Sequence, residues 1–251
     1  MKKYLSNLAS RQRSEASDRH LARYLTFVAG AANAGGFMAV QQYTSHMSGI
    51  VSAIADNLVL GNVVLVLSGL SALGAFVAGA ACSAILINWG RRMDLQSEYA
   101  LPLLVEAGLL VLFALLGSFL SLYQDVFIPL TVALLCFVMG LQNAIITKLS
   151  GARIRTTHVT GLVTDAGIEL GKLFYWNSAT HAAAPPVRAD RPKLRLLLSL
   201  IGLFLVGGIA GAIAFSRFGT SAALLLALPL VLLAALPVLE DLRIWRRGPR
   251  P

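Results

Sequence analysis

Six apolar runs dominate the sequence, at residues 24–43, 63–89, 101–120, 127–147, 194–215 and 220–239. A helix of about twenty apolar residues crosses the roughly 30 Å hydrocarbon core of a bilayer. Each run therefore reads as one transmembrane helix. The composition agrees: 57% of the 251 residues are apolar and 13% charged, against about 45–50% and about 25% in a soluble domain. Too few charges remain to clothe a water-soluble exterior. The expectation is an all-α integral membrane protein with six spans.

Two connections, 44–62 and 148–193, contain weaker apolar stretches at 49–60 and 161–175 that are too short to cross. The cations assign them. When the six runs alone alternate across the membrane, all but Arg217 of the 21 Lys and Arg fall on one side. They cluster in the tail 1–23, at Arg91 and Arg92, between Lys148 and Arg195, and in the tail 240–251. The positive-inside rule then puts both termini in the cytoplasm and the loop 121–126 outside, and makes 49–60 and 161–175 short non-spanning helices. The net charge of +9 thereby reads as anchoring to anionic lipid headgroups, with no nucleic acid partner. Residues 1–20 lack the apolar core of a signal peptide. Cys82 and Cys136 stand apart in apolar surroundings, so neither a disulfide framework nor a metal site is expected.

The chain repeats itself. Phe27-Val-Ala-Gly-Ala-Ala-Asn33-Ala34 is echoed by Phe137-Val-Met-Gly-Leu-Gln-Asn143-Ala144, and Thr44-Ser-His46-Met-Ser48-Gly49 by Thr156-Thr-His158-Val-Thr160-Gly161. Small-residue stretches follow each, at 76–84 and 204–212. Residues 24–120 and 127–239 thus read as two copies of span, short broken helix, span, span. Three spans per copy is an odd number, so the second copy is expected upside down, the inverted-repeat plan of secondary transporters.

The paired motifs carry the candidate site. Ser48 and Thr160 are read as N-caps starting the short helices. The free N–H groups and positive dipole end of a helix start bind anions or polar ligand atoms. Gly49 and Gly161 would let backbone approach a ligand, and His46 and His158 could sense or carry protons. A structural reading fits the same residues equally: glycines for tight helix packing, hydroxyls and imidazoles to satisfy broken backbone. Asn33 and Asn143 lie at matched places inside spans one and four, either as interhelical hydrogen-bonding groups or as substrate contacts.

Candidate proton-coupling carboxylates are Asp56, Asp165 and Glu106. Asp56 pairs with Ser52 and Asp165 with Glu169 at i,i+4 spacing, which also fits a solvated helix face, and Lys172 is expected to pair with Glu169 or to face the cytoplasm. Glu106 lies about 9 Å into span three, where a carboxylate is a functional candidate by default. No nucleotide-binding, hydrolase-elbow or zinc-protease motif occurs, so neither catalysis nor a cofactor is expected. A hydrolase using Ser48 with His46 is disfavoured because residues two apart make a poor nucleophile–base pair. Small-residue ladders at Ala75, Gly79 and Ser83, and at Gly207 and Gly211, suit packing within the chain or in a homodimer.

Through Ser45-His46-Met47-Ser48-Gly49, Arg155-Thr156-Thr157-His158-Val159-Thr160-Gly161 and Gln142-Asn143-Ala144, the chain resembles the YoaK-type family of bacterial membrane proteins over nearly its whole length. Similar proteins often carry Asn after each motif glycine and Tyr at the place of His158, where this chain has Ile50, Leu162 and His158. The resemblance implies a six-span inner-membrane protein, sometimes labelled a permease, without an established function. Together the expectation is a permease of a small polar or anionic solute; the alternative is a scaffold or lipid-binding protein.

Overall fold

The computed structural model describes residues 15–117, 124–149, 158–177 and 185–246. Within these the chain is helical throughout, as it must be where lipid offers backbone groups no partner. The helices are α1 (Glu15–Val40), α2 (Met47–Val59), α3 (Val63–Arg92), α4 (Ala100–Leu116), α5 (Gln124–Leu149), α6 (Val159–Phe174), α7 (Arg191–Phe218) and α8 (Ala223–Arg246).

Among the described residues, three stretches are long and apolar enough to cross a membrane: Val63–Arg92, Phe127–Leu149 and Arg191–Trp245. The last has 55 residues, far more than one crossing needs. It is broken by Gly219, at φ 56 and ψ −149, and by the 3-10 turn Gly219–Ala222, which separate α7 from α8. Only 11% of the most apolar window of α3 is buried by protein, and Val64, Leu67 and Ile85 stand exposed. Such a surface belongs to a membrane protein.

Several boundaries differ from the sequence expectation. Helix α1 starts at Glu15, so the second half of the expected tail 1–23 is helical, and it stops at Val40 rather than residue 43. Gln41 ends it by adopting φ 56 while its N–H bonds the carbonyl of Phe37, a left-handed helix stop. Helix α7 runs through Ser216 and Arg217 to Phe218, so the expected turn at 216–219 lies three residues later. Helix α8 absorbs residues 240–246 of the expected C-terminal tail. Of the expected loop 121–126, residues 124–126 belong to α5. Residues 121–123, the end of the third run at 118–120, Arg153, Arg155, Thr156, Thr157, the first fourteen residues and Arg247 and Arg250 lie outside the described residues.

The helices pack in pairs drawn from both halves of the sequence: α1 along α7, α3 along α5, and α4 along α8, with α2 against α3 and α6 against α7. Glycines set the first two pairs. A Cβ on Gly30 would strike the carbonyl oxygen of Phe204, and one on Gly207 that of Phe27. In the other pair, Gly140 faces the carbonyl of Phe76 and Gly79 that of Phe137. Backbone thus meets backbone at matched positions, the close approach that small residues permit in membranes. The ladders Gly79 and Gly207–Gly211 are used inside the chain, with Gly211 against Ala31. The alternation of buried and exposed positions along 17–37 recurs residue for residue along 127–147.

One polar clamp ties the far end of the bundle. The Asp241 carboxylate of α8 accepts the backbone N–H groups of Gln96 and Ser97, both at 2.9 Å. Arg91 at the end of α3 pairs with Glu98 at 3.2 Å and bonds the Tyr99 hydroxyl.

Candidate functional site

After Gln41 the chain turns back along α1. The backbone N–H and the hydroxyl of Ser45 both donate to Asn33 Oδ1, at 3.3 and 2.9 Å. Asn33 lies seven residues before the end of α1, about 10 Å below it at 1.5 Å per residue. Helix α2 therefore starts well inside the level of α1 and runs outward.

The two short helices start alike, but two residues earlier than the Ser48 and Thr160 caps require. The N-caps are His46 (φ −92, ψ 69) and His158 (φ −85, ψ 59), neither with a side-chain capping bond. Their carbonyls accept from Ile50 and Leu162, each at 3.1 Å. Ser48 and Thr160 fall on the second residue of their helices, where a hydroxyl no longer reaches the first-turn N–H groups as a cap. The Ser/Thr preference for caps is overridden by where the preceding chain turns.

Gly49 and Gly161 also have a more specific role than either expectation gave them. A Cβ on Gly49 would collide with Cδ2 and Nε2 of His46, and one on Gly161 with Nδ1 of His158. Each glycine makes room for the imidazole of its own cap residue, folded over the first turn. No neighbouring helix supplies the nearest atoms at either glycine.

These pieces meet at one cavity of about 880 Å³. Asn33 and Asn143, His46 and His158, and Ser48 and Thr160 all line it, together with Phe76 and Phe204. Tyr43, Ser45 and Thr147 add polar atoms, and among the described residues no Lys, Arg, Asp or Glu contributes to the wall. Both histidines are exposed to this space. The unpaired first-turn N–H groups of α2 and α6 give it two positive dipole ends. Such a wall can hold a polar solute by amide, hydroxyl and imidazole hydrogen bonds, with two phenyl faces for an apolar part.

Six of the site residues expected from sequence are thus brought together on the wall, and five are not. Asp56 is exposed on α2 and outside the lining. Asp165 is half-exposed and lies 3.8 Å from Lys193 Nζ. Glu106 is fully buried elsewhere in the bundle, accepting from Gln142 Nε2 at 2.9 Å. Gly49 and Gly161 stand behind the histidines rather than on the wall. Phe76, Phe204 and Tyr43 were not singled out by sequence; the two phenylalanines did mark the starts of the matched small-residue stretches.

A second polar connection holds each short helix to the span after it. Glu169 of α6 accepts from Lys172 Nζ at 2.9 Å and from the N–H of Asp190, the N-cap of α7, at 2.8 Å. The Lys172 hydrogen bond, then that of Asp190, hold its carboxyl below the ordinary value of 4.5. In α2 the corresponding Asn57 Oδ1 accepts from Asn62, the N-cap of α3, at 3.1 Å.

Comparison with curated proteins and with solved structures finds no match. A family model described as "Protein of unknown function (DUF1275)" matches residues 21–236, a range that takes in α2 through α7, most of α1 and α8, and every residue of the cavity wall, and the chain belongs to that family.

Proposed function

We propose that this protein is a permease for a small polar solute, built from two inverted three-span repeats and using the 880 Å³ cavity as its site. The observation that carries this is the pairing of the wall: Asn33 with Asn143, His46 with His158, Ser48 with Thr160 and Phe76 with Phe204. One member of each pair comes from each half of the sequence. The recurrent burial pattern of 17–37 in 127–147 and the matched glycine contacts support the repeat. A site on a pseudo-two-fold axis can open to either side as the halves exchange conformations. On this reading α1, α3, α4, α5, α7 and α8 are the six spans of a YoaK-type bacterial inner-membrane protein. Both termini are cytoplasmic, and the basic ends lie against anionic headgroups. The protein is not an enzyme, and transport is gradient-driven or facilitated.

The two helix starts favour a polar or anionic solute, receiving its electronegative atoms. A ligand-stabilisation screen on purified protein tests the site, because a ligand raises stability by RT ln(1+[L]/Kd). A hit abolished by H46Q/H158Q or by S48A/T160A supports it, and a hit indifferent to both removes the cavity from consideration. Saturable uptake of that hit into proteoliposomes separates transport from binding.

A lipid-binding reading has one observation of its own. A second groove of about 320 Å³ shares Asn33, Tyr43 and Phe204 with the cavity and opens past Met38, Leu205 and Ile209, whose side chains are exposed where lipid would lie. Retention of a defined phospholipid through purification, lost on changing Phe204, would favour it.

A further inference from the structure

Glu106 makes a polar cluster that the cavity does not use. It is completely buried on α4, and its Oε1 accepts from Gln142 Nε2 of α5 at 2.9 Å. Glu106 Oε2, Gln142 Oε1 and the Tyr24 hydroxyl, buried with it, have no hydrogen-bond partner. Tyr24 comes from α1, and its hydroxyl lies within electrostatic reach of the carboxyl.

Among the described residues no ion pair balances a carboxylate at Glu106. On α1, Arg23 bonds Ser199 Oγ at 3.2 Å, and Asp18, Arg19 and His20 lie four to six residues before Tyr24. On α5, Cys136 belongs to a separate apolar cluster with Val40, Ala72 and Val132, and Lys148 at the helix end bonds Asn88 at 2.8 Å. On α3, Arg91 is engaged with Glu98 and Tyr99, and Arg92 is exposed at the helix end. Helix α8 carries no titratable residue before Glu240. Two of the three orphaned oxygens, Glu106 Oε2 and Gln142 Oε1, are acceptors without a donor, and one proton on the carboxyl supplies one.

The rest of the bundle shows that packing does not need these groups. Buried Ala100, Leu103, Ala107 and Leu110 of α4 have buried Ala227, Leu230, Ala234 and Pro237 as their counterparts on α8. In that register Glu106 answers to Leu233, and in the register that matches 17–37 with 127–147 Gln142 answers to Ala32 and Tyr24 to Leu134. The other half closes the same positions with apolar side chains, and such replacements are commonly neutral or stabilising.

We infer that Glu106 is a proton-binding site, holding one proton at neutral pH between α1, α4 and α5 with Gln142 and Tyr24 as its polar neighbours. Uptake or release of that proton changes the charge of the α4 face that packs on two other spans. The site stands whether or not the cavity carries a solute.

The test is an infrared difference spectrum at pH 7 between the full-length protein and E106Q, both in liposomes. A protonated-carboxyl C=O band present in the native protein and wholly absent from E106Q is the expected result. A carboxylate signature in its place overturns the proposal, and so does loss of the band on adding sodium chloride, which would make the cluster a metal-cation site. Should E106Q fail to fold, Q142L keeps the carboxyl and removes its donor. The band must then persist and shift to higher frequency, and an unmoved band overturns the pairing with Gln142.

Discussion

Asn33 Oδ1 receives two hydrogen bonds from Ser45, and this contact holds the start of α2 against the middle of α1. Replacing Asn33 with Leu leaves the Ser45 donors unpaired in a partly buried place, at a cost of about 1–3 kcal/mol. Asn33→Asp keeps the acceptor oxygen and is expected to lose less. Thermal unfolding in detergent gives the order wild type, N33D, N33L. A cysteine placed at Ser45 is expected to react faster with a soluble maleimide when Asn33 is Leu.

What the sequence made legible follows from the strength of each physical signal. Lipid leaves a long apolar run few alternatives to a helix, so α3, α5 and α7 stand within a few residues of their expected positions. The matched motifs were readable because Asn33, His46 and Gly49 recur as identities at Asn143, His158 and Gly161. The N-caps were not, because Ser48 and Thr160 satisfy the local preference while the turn made by Gln41 to Ser45 decides where the helix begins. The partner of Glu106 was equally hidden, since Gln142 lies 36 residues away and sequence gives no register between α4 and α5. Asp241 looked like part of a charged tail, and only the packing of α8 on α4 brings it to Gln96 and Ser97.

The matched glycines predict matched losses. Gly79→Ala drives a methyl into the carbonyl of Phe137, and Gly207→Ala drives one into that of Phe27. Backbone cannot step aside without separating α3 from α5 or α1 from α7, so each is expected to cost about 1–3 kcal/mol by overpacking. Gly74 has no atom within 4 Å of its added Cβ. Gly74→Ala should therefore be neutral or stabilising by up to about 1 kcal/mol through helix propensity. Unfolding midpoints of the three variants in one detergent check the contrast, and a Gly74→Ala loss equal to the others would contradict the packing account.

Asp241 is expected to govern the α3–α4 connection. In D241A the N–H groups of Gln96 and Ser97 lose both carboxylate oxygens, a loss of about 1–3 kcal/mol when such donors stay buried. Arg91 and Glu98 still hold the start of the loop, so the effect should be local. Limited proteolysis is expected to cut between residues 93 and 99 in D241A under conditions that leave the native protein whole, with little change at other sites.

Glu169 gives the protein a dependence on acid. Its folded carboxyl titrates below 4.5 because Lys172 and the Asp190 N–H bond the charged form. A group whose pKa is depressed by folding binds fewer protons folded than unfolded, so stability rises with pH across that interval. Its contribution is complete above about 4.5 and disappears as the pH falls through the folded value. In E169Q the amide cannot take up a proton there, so the fall in unfolding temperature between pH 5 and pH 3 should be shallower than in the native protein. At pH 7 E169Q leaves Lys172 without its carboxylate and Lys193 with Asp165 alone, and is the less stable of the two. Parallel pH profiles for the two proteins would mean that Glu169 does not couple α6 to the N-terminus of α7 through its charge.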